Sequence, residues 1–143
     1  MSLTRELTDD GWCFACGALN PHGLQMKVAY AEDQGRQLAR CELVLSRRFQ
    51  GWNGIAHGGV VATVLDELMA HAVIHFVGQA VTTRFEIRYR KPVALGVELE
   101  AMGWVEQVRR RLVKAAAEIR TTHEPAPLAQ ASAEFFLTGG PKR

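Results

Sequence analysis

Hydrophobic and polar positions change their period several times along this chain. From Leu24, the residues Leu24, Met26, Val28 and Tyr30 alternate with mainly polar positions, the period-two pattern of a half-buried strand. Glu32-Asp33-Gln34-Gly35 is turn chemistry, and Arg36 to Leu45 reads as the returning strand of a hairpin. Ser46 to Ala56 reads as a loop, with Gly51 and Gly54 bracketing Trp52 and Asn53. From Gly58 to about Val77 the period becomes helical, without proline, and Gly78 stands where a C-terminal cap is wanted. Val60, Val61, Val64, Leu65, Leu68, Met69, Ala72, Val73 and Phe76 cover most of the circumference of that helix, so burial on several sides is expected. After Gly78 the period returns to two. Val81, Thr83, Phe85, Ile87 and Tyr89 alternate with Thr82, Arg84, Glu86, Arg88 and Arg90, and Pro92 ends the strand. Val97 to Val105 and Leu112 to Arg120 pair through an arginine turn at Arg109-Arg110-Arg111. Leu128 to Thr138 follows the loop His123 to Pro127 as a last strand. Residues 1–20 sustain no period and read as an irregular arm.

One long helix and about six antiparallel strands make an α+β domain spanning residues 1–143. The order β-β-α-β-β-β-β, with a broadly apolar helix as filling, describes a hotdog fold: a sheet wrapped around one long central helix. Such a domain leaves a sheet edge unpaired, here expected near residues 80–90, and a second subunit is the expected cover.

Composition narrows the function classes. Hydrophobic residues at 48% and charged residues at 22% are ordinary for a globular domain. A net charge of +2 gives no bulk attraction to nucleic acid or an anionic membrane, so neither is an expected partner. The stretch from Val60 to Val77 carries Thr63, Asp66, Glu67, His71 and His75, too many polar groups for a lipid-exposed span. MSLTRELTDDGW has no apolar core of a secretory signal, and three cysteines do not read as a disulfide framework, so a reducing cytoplasmic setting is expected.

The chemistry concentrates between Phe49 and Glu67. Glycines at a helix start let backbone N–H groups approach a ligand, and the helix dipole adds partial positive charge there. Gly58-Gly59 therefore reads either as an oxyanion-binding start or as a tight loop-to-helix turn. Asp66 sits among Val64, Leu65, Leu68 and Met69, where an unpaired carboxylate costs several kcal/mol (order of magnitude) and so must be paired, protonated or functional. Glu67 points elsewhere, about 100° around the helix. Thr63, Glu67, His71 and His75 share one stripe, read as a solvent or subunit boundary, with Glu67, His71 and His75 alternatively a metal set. Cys13 and Cys16 form a lone Cys-x-x-Cys with no second pair to complete the four ligands of a zinc site, His22 being a candidate third; Cys41 is a packing residue. No metal and no cofactor is expected.

His57-Gly58-Gly59 followed by Asp66, nine positions after the histidine, resembles the hotdog thioesterases of the phenylacetate-pathway and thioesterase-superfamily-member type, within the 4-hydroxybenzoyl-CoA thioesterase-like superfamily. The resemblance covers nearly the whole chain. Cys13-Phe14-Ala15-Cys16-Gly17, Asn20-Pro21-His22-Gly23-Leu24, Phe49-Gln50-Gly51, Val81-Thr82 and Tyr89-Arg90-Lys91-Pro92 carry the rest of it. It implies hydrolysis of a small, medium-chain or aryl acyl-CoA. The Gly58 N–H would polarise the thioester carbonyl, and Asp66 from a partner subunit would serve as general base. Thr82, sixteen positions after Asp66, would bond the carboxylate or water, and His57 would shape the carbonyl site. Gly59, Gln50 and Asn53 would line the substrate, while Arg88, Arg90 and Lys91, with Arg109 to Arg111 next, would meet the coenzyme A phosphates. Some relatives carry an asparagine where this chain has Gly51, leaving Gln50 or Asn53 to supply that polar contact. The resemblance further implies a homodimer or a dimer of dimers. Three other readings stand beside it: a non-catalytic acyl-CoA binder or sensor, a hotdog hydratase or dehydratase, and a purely structural domain.

Overall fold

The computed structural model describes residues 7–139; the first six residues of the expected arm lie outside it. The remainder of that arm is irregular, as expected. Strands β1 (Ala29–Asp33) and β2 (Arg36–Leu43) form the first hairpin. Gln34 and Gly35 both take left-handed φ (51° and 77°), the two-residue turn whose twist matches the flanking strands. The first strand starts later than its alternation suggests. Leu24 and Met26 instead bond the arm, their N–H groups donating to the carbonyls of Phe14 (2.8 Å) and Ala15 (2.9 Å).

Helix α1 (Gly58–Phe76) follows, then β3 (Ala80–Tyr89), β4 (Leu99–Arg109), β5 (Leu112–Thr121) and β6 (Ala129–Leu137). One antiparallel sheet results, in the order β1-β2-β4-β5-β6-β3. β3 is an edge strand, as expected, and β1 is the other. The helix lies across the inner face, where Leu65, Leu68 and Met69 meet a floor that includes Leu99, Val113, Ile119, Phe135 and Leu137. It ends with the N–H groups of Val77 and Gly78 both on the Val73 carbonyl. Gly78 thus caps the helix without a left-handed φ.

Two expectations change. The buried helical residues are Val61, Val64, Leu65, Leu68, Met69, Ala72 and Val73, a single stripe at three- and four-residue steps. Thr63, Asp66 and Ala70 stay half-exposed and Ile74 exposed, so the face carrying Asp66 is left largely open in one chain. The alternation in β3 is also broken. Its register with β6 passes from Thr82↔Phe135 to Arg84↔Glu134, leaving Thr83 as a bulge. Bulges re-aim side chains. Here the bulge puts Thr82 on the inner face, opposite buried Phe135, where strict alternation assigns it to the outside.

Gly103 sets how closely helix and sheet approach. A Cβ there would lie 2.6 Å from the Leu68 carbonyl carbon and 2.7 Å from the Met69 nitrogen, backbone atoms that cannot swing away. Gly103→Val is expected to destabilise the domain by about 1–3 kcal/mol through overpacking. A lower urea midpoint at unchanged slope is the signature.

Candidate active site

The loop before α1 is drawn tight by its own backbone. The His57 N–H donates to the Phe49 carbonyl (2.8 Å), the Gly51 N–H to Ile55 (2.9 Å) and the Ala56 N–H to Val93 (2.8 Å). A Cβ on Gly51 would stand 3.0 Å from the His57 Cα, so the loop is packed for glycine at that position. The Gln50 side chain braces the loop by accepting from the Gly54 N–H (3.0 Å), while Asn53 is exposed.

His57 is the helix N-cap. Its Nδ1 accepts from the Gly59 N–H at 2.9 Å, satisfying one of the donors a helix start leaves over. The histidine therefore acts on the backbone of its own helix. Gly58 is the first helical residue, and its N–H has no partner among the described residues. The Gly58 carbonyl accepts from the Tyr89 hydroxyl at 2.6 Å, tying the helix start to the end of β3. Tyr89 was not among the residues the sequence singled out for chemistry. A tyrosine on the apolar side of a strand needs a partner for its hydroxyl, and that was the available signal.

Two turns further on, the Thr82 hydroxyl donates to Asp66 Oδ1 at 2.9 Å. Burial pushes the Asp66 carboxyl above the ordinary range; Thr82 opposes that rise and the neighbouring Glu67 charge adds to it. A carboxylate so placed is a better proton acceptor near neutrality than a free one. Gly59, Ala62, Thr63, Asp66, Thr82 and Phe85 line an open pocket of about 260 Å³ around it. A second pocket, about 540 Å³, also borders the helix start. Trp52, Gly58, Tyr89, Arg90 and Lys91 are among the residues that border it.

The predicted cations separate. Arg90 and Lys91 border the Gly58 pocket, whereas Arg88 lines a groove with Glu86 and Gln130. Arg90 also reaches that groove, its Nε donating to Gln130 (2.6 Å). The arginine turn lies at the Val81 end of β3, about 25 Å along the strand from Tyr89. Within one chain it cannot serve the same ligand phosphate as Lys91.

Glu67 leaves the helix on the opposite side from Thr82 and meets the arm, with Cys13 Sγ 3.7 Å away and His71 Nε2 3.1 Å away. Burial works to raise its carboxyl, but hydrogen bonds from His71 and Cys16 prevail and hold it below the usual range. His71 Nδ1 lies 2.7 Å from the Tyr30 hydroxyl, and Tyr30 stacks on His75 at 3.8 Å. The stripe from Glu67 to His75 thus packs against β1 and the arm, with His75 still exposed, and both ring nitrogens of His71 are engaged.

A helix starting on Gly-Gly, carrying an outward carboxylate and laid across a six-stranded antiparallel sheet, defines a hotdog domain of thioesterase type. The model of the thioesterase superfamily matches residues 53–126, and the chain belongs to that family. Acyl-coenzyme A thioesterase THEM4 of Xenopus laevis is 27% identical over 135 residues, 94% of this chain and 55% of the relative. The chain thus spans about half the length of that curated relative. Among solved structures, the Escherichia coli PaaI protein of the phenylacetic acid degradation operon superposes with a TM-score of 0.72 at 19% identity, covering 82% of this chain and 83% of that one. A Streptococcus mutans protein solved bound to acetyl-CoA gives 0.70 at 21% identity, covering 87% and 99%. These two likenesses concern the fold.

Proposed function

We propose that the chain hydrolyses small, medium-chain or aryl acyl-CoA thioesters, with Asp66 as general base and the Gly58 N–H as oxyanion donor. The observation that carries this reading is the Asp66 carboxylate, raised by burial, held by Thr82 and open to a pocket on the uncovered face of the helix. Asp66 takes a proton from water as the oxygen attacks the thioester carbonyl. The Gly58 N–H meets the developing oxyanion. The C–S bond then breaks, and the coenzyme A thiolate leaves with the proton held by Asp66.

The helix itself argues that two chains make each site. Gly58 and Asp66 are eight residues apart, about 12 Å along the axis, while reacting groups must come within about 3–3.5 Å. That separation favours a carbonyl held between the glycine of one chain and the carboxylate of another. A second copy laid against the uncovered helix face supplies the missing half, with Arg90 and Lys91 placed for the coenzyme A phosphates and Phe85 for the acyl group. The S. mutans protein bound to acetyl-CoA and the THEM4 likeness support the choice of acyl-CoA.

Thiol release over acetyl, medium-chain, long-chain, aryl and carrier-protein thioesters tests the activity. Saturable acyl-CoA binding without thiol release would instead make the chain a binder, and loss of enoyl absorbance from crotonyl-CoA a hydratase. Thr82→Val is expected to lower kcat by about 10- to 100-fold, the loss of one hydrogen bond to a charged group. Turnover unchanged in that variant would remove Thr82 from the reaction.

A further inference from the structure

Cys13 and Cys16 are absorbed by none of this, yet the structure converges them on a third ligand from α1. The Cys16 N–H approaches Cys13 Sγ at 3.5 Å, and the Gly17 N–H donates to the Cys13 carbonyl at 2.8 Å, so the turn brings both sulfurs to one side. That turn is closely built. A Cβ on Gly17 would stand 2.5 Å from the Cys13 nitrogen and from the Gly11 carbonyl oxygen, and one on Gly23 would overlap the Phe14 carbonyl. The Arg48 guanidinium pins the far side by donating to the carbonyls of Pro21 and Gly23. Against this rigid turn lies Glu67. The ligand atoms of Cys13, Cys16 and Glu67 all fall within 4.8 Å of one another, each side chain partly buried.

We propose that Cys13, Cys16 and Glu67 form a zinc(II) site that clasps the N-terminal arm to the central helix. Tetrahedral zinc with sulfur at about 2.3 Å and oxygen at about 2.0–2.2 Å sets its ligand atoms about 3.5–3.8 Å apart, so small side-chain rotations complete the set. Two thiolates with one carboxylate select zinc over magnesium or calcium, which take oxygen ligands. A redox thiol pair would want a cationic neighbour or a helix N-terminus beside it; here the neighbour is an acid. His71 holds Glu67 and is held by Tyr30, the second rank of contacts that orients a metal-binding carboxylate. Three protein ligands leave the fourth position to water or an added group. His22, the third ligand the sequence suggested, is exposed and stands outside the cluster.

The test uses the full chain, reduced and stripped with chelator, then titrated with Zn²⁺ and separately with Co²⁺. One zinc per chain after desalting is expected, with thiolate-to-cobalt charge-transfer absorption. Cys16→Ser is expected to weaken zinc by about 100-fold or more, and His71→Ala, which touches the set only through Glu67, by about 10-fold. Zinc should raise the unfolding temperature of the wild type and not that of Glu67→Gln. That comparison stands even if the cysteine variant folds poorly. Binding well below one zinc per chain overturns the proposal. So does a cobalt spectrum without thiolate bands, or zinc affinity unaltered in both Glu67→Gln and Cys16→Ser.

Discussion

Asp66→Asn is expected to lower kcat on the preferred acyl-CoA by about 10²–10⁴, the scale of a lost general base, while the domain stays folded. Asparagine keeps the shape of the side chain, and its carbonyl oxygen still accepts from the Thr82 hydroxyl that lies 2.9 Å from Asp66 Oδ1. What it cannot do is take a proton from water. Removing a charge that burial already disfavours should leave stability level or higher, since the carboxylate spends desolvation energy on the helix face. Low turnover with an undiminished urea midpoint therefore identifies a chemical role. A collapsed midpoint would identify a structural one. A single turnover in heavy-oxygen water can reveal a nucleophile: label found in Asp66 requires a mixed anhydride opened by water at the aspartyl carbon, which a general base never forms. Unchanged hydrolysis in Asp66→Asn would end the assignment.

What the sequence could convey follows from which interactions are local. The helix from Gly58 and the strand from residue 80 were legible because their periods are set by neighbours along the chain. Asp66 was legible as an oddity, a carboxylate among Val64, Leu65, Leu68 and Met69. Thr82 was named through the resemblance, but its direction was not readable. The bulge at Thr83 turns it inward, and a bulge depends on the pairing of β3 with β6, where Thr82 meets Phe135 more than a third of the chain away. The convergence of Cys13, Cys16 and Glu67 was invisible for the same reason. The arm reaches α1 only through tertiary packing, so local spacing offered His22 as the third ligand instead. The breadth of the apolar helix suggests burial on several sides, whereas the described chain fully buries one stripe of it. Half-exposed Ala62, Thr63 and Asp66 are where the proposed second copy would pack.

Gly58→Pro is expected to lower kcat by about 10²–10³, the effect of deleting one oxyanion donor, with little loss of stability. The substitution is unusually clean here. Gly58 is the first helical residue, where proline is favoured because its missing N–H makes no intrahelical bond. The preceding His57, at φ −58° and ψ 133°, already has the extended backbone that proline demands of its neighbour. The new Cβ would lie 3.3 Å from the Tyr89 hydroxyl, which must give by a few tenths of an ångström while keeping its bond to the Gly58 carbonyl. Each variant alone is expected to be nearly inactive, but they disable different halves of a composite site. Mixing Asp66→Asn chains with Gly58→Pro chains, unfolding and refolding them together, pairs the intact Gly58 of one with the intact Asp66 of the other. Random pairing of equal amounts makes half the dimers mixed, each with one working site of two, so about a quarter of wild-type turnover should return. If glycine and carboxylate acted within one chain, every site in every dimer would lack one of them and nothing would return. Recovery near a quarter would thus require both the oxyanion role of Gly58 and a partner carboxylate supplied by another chain.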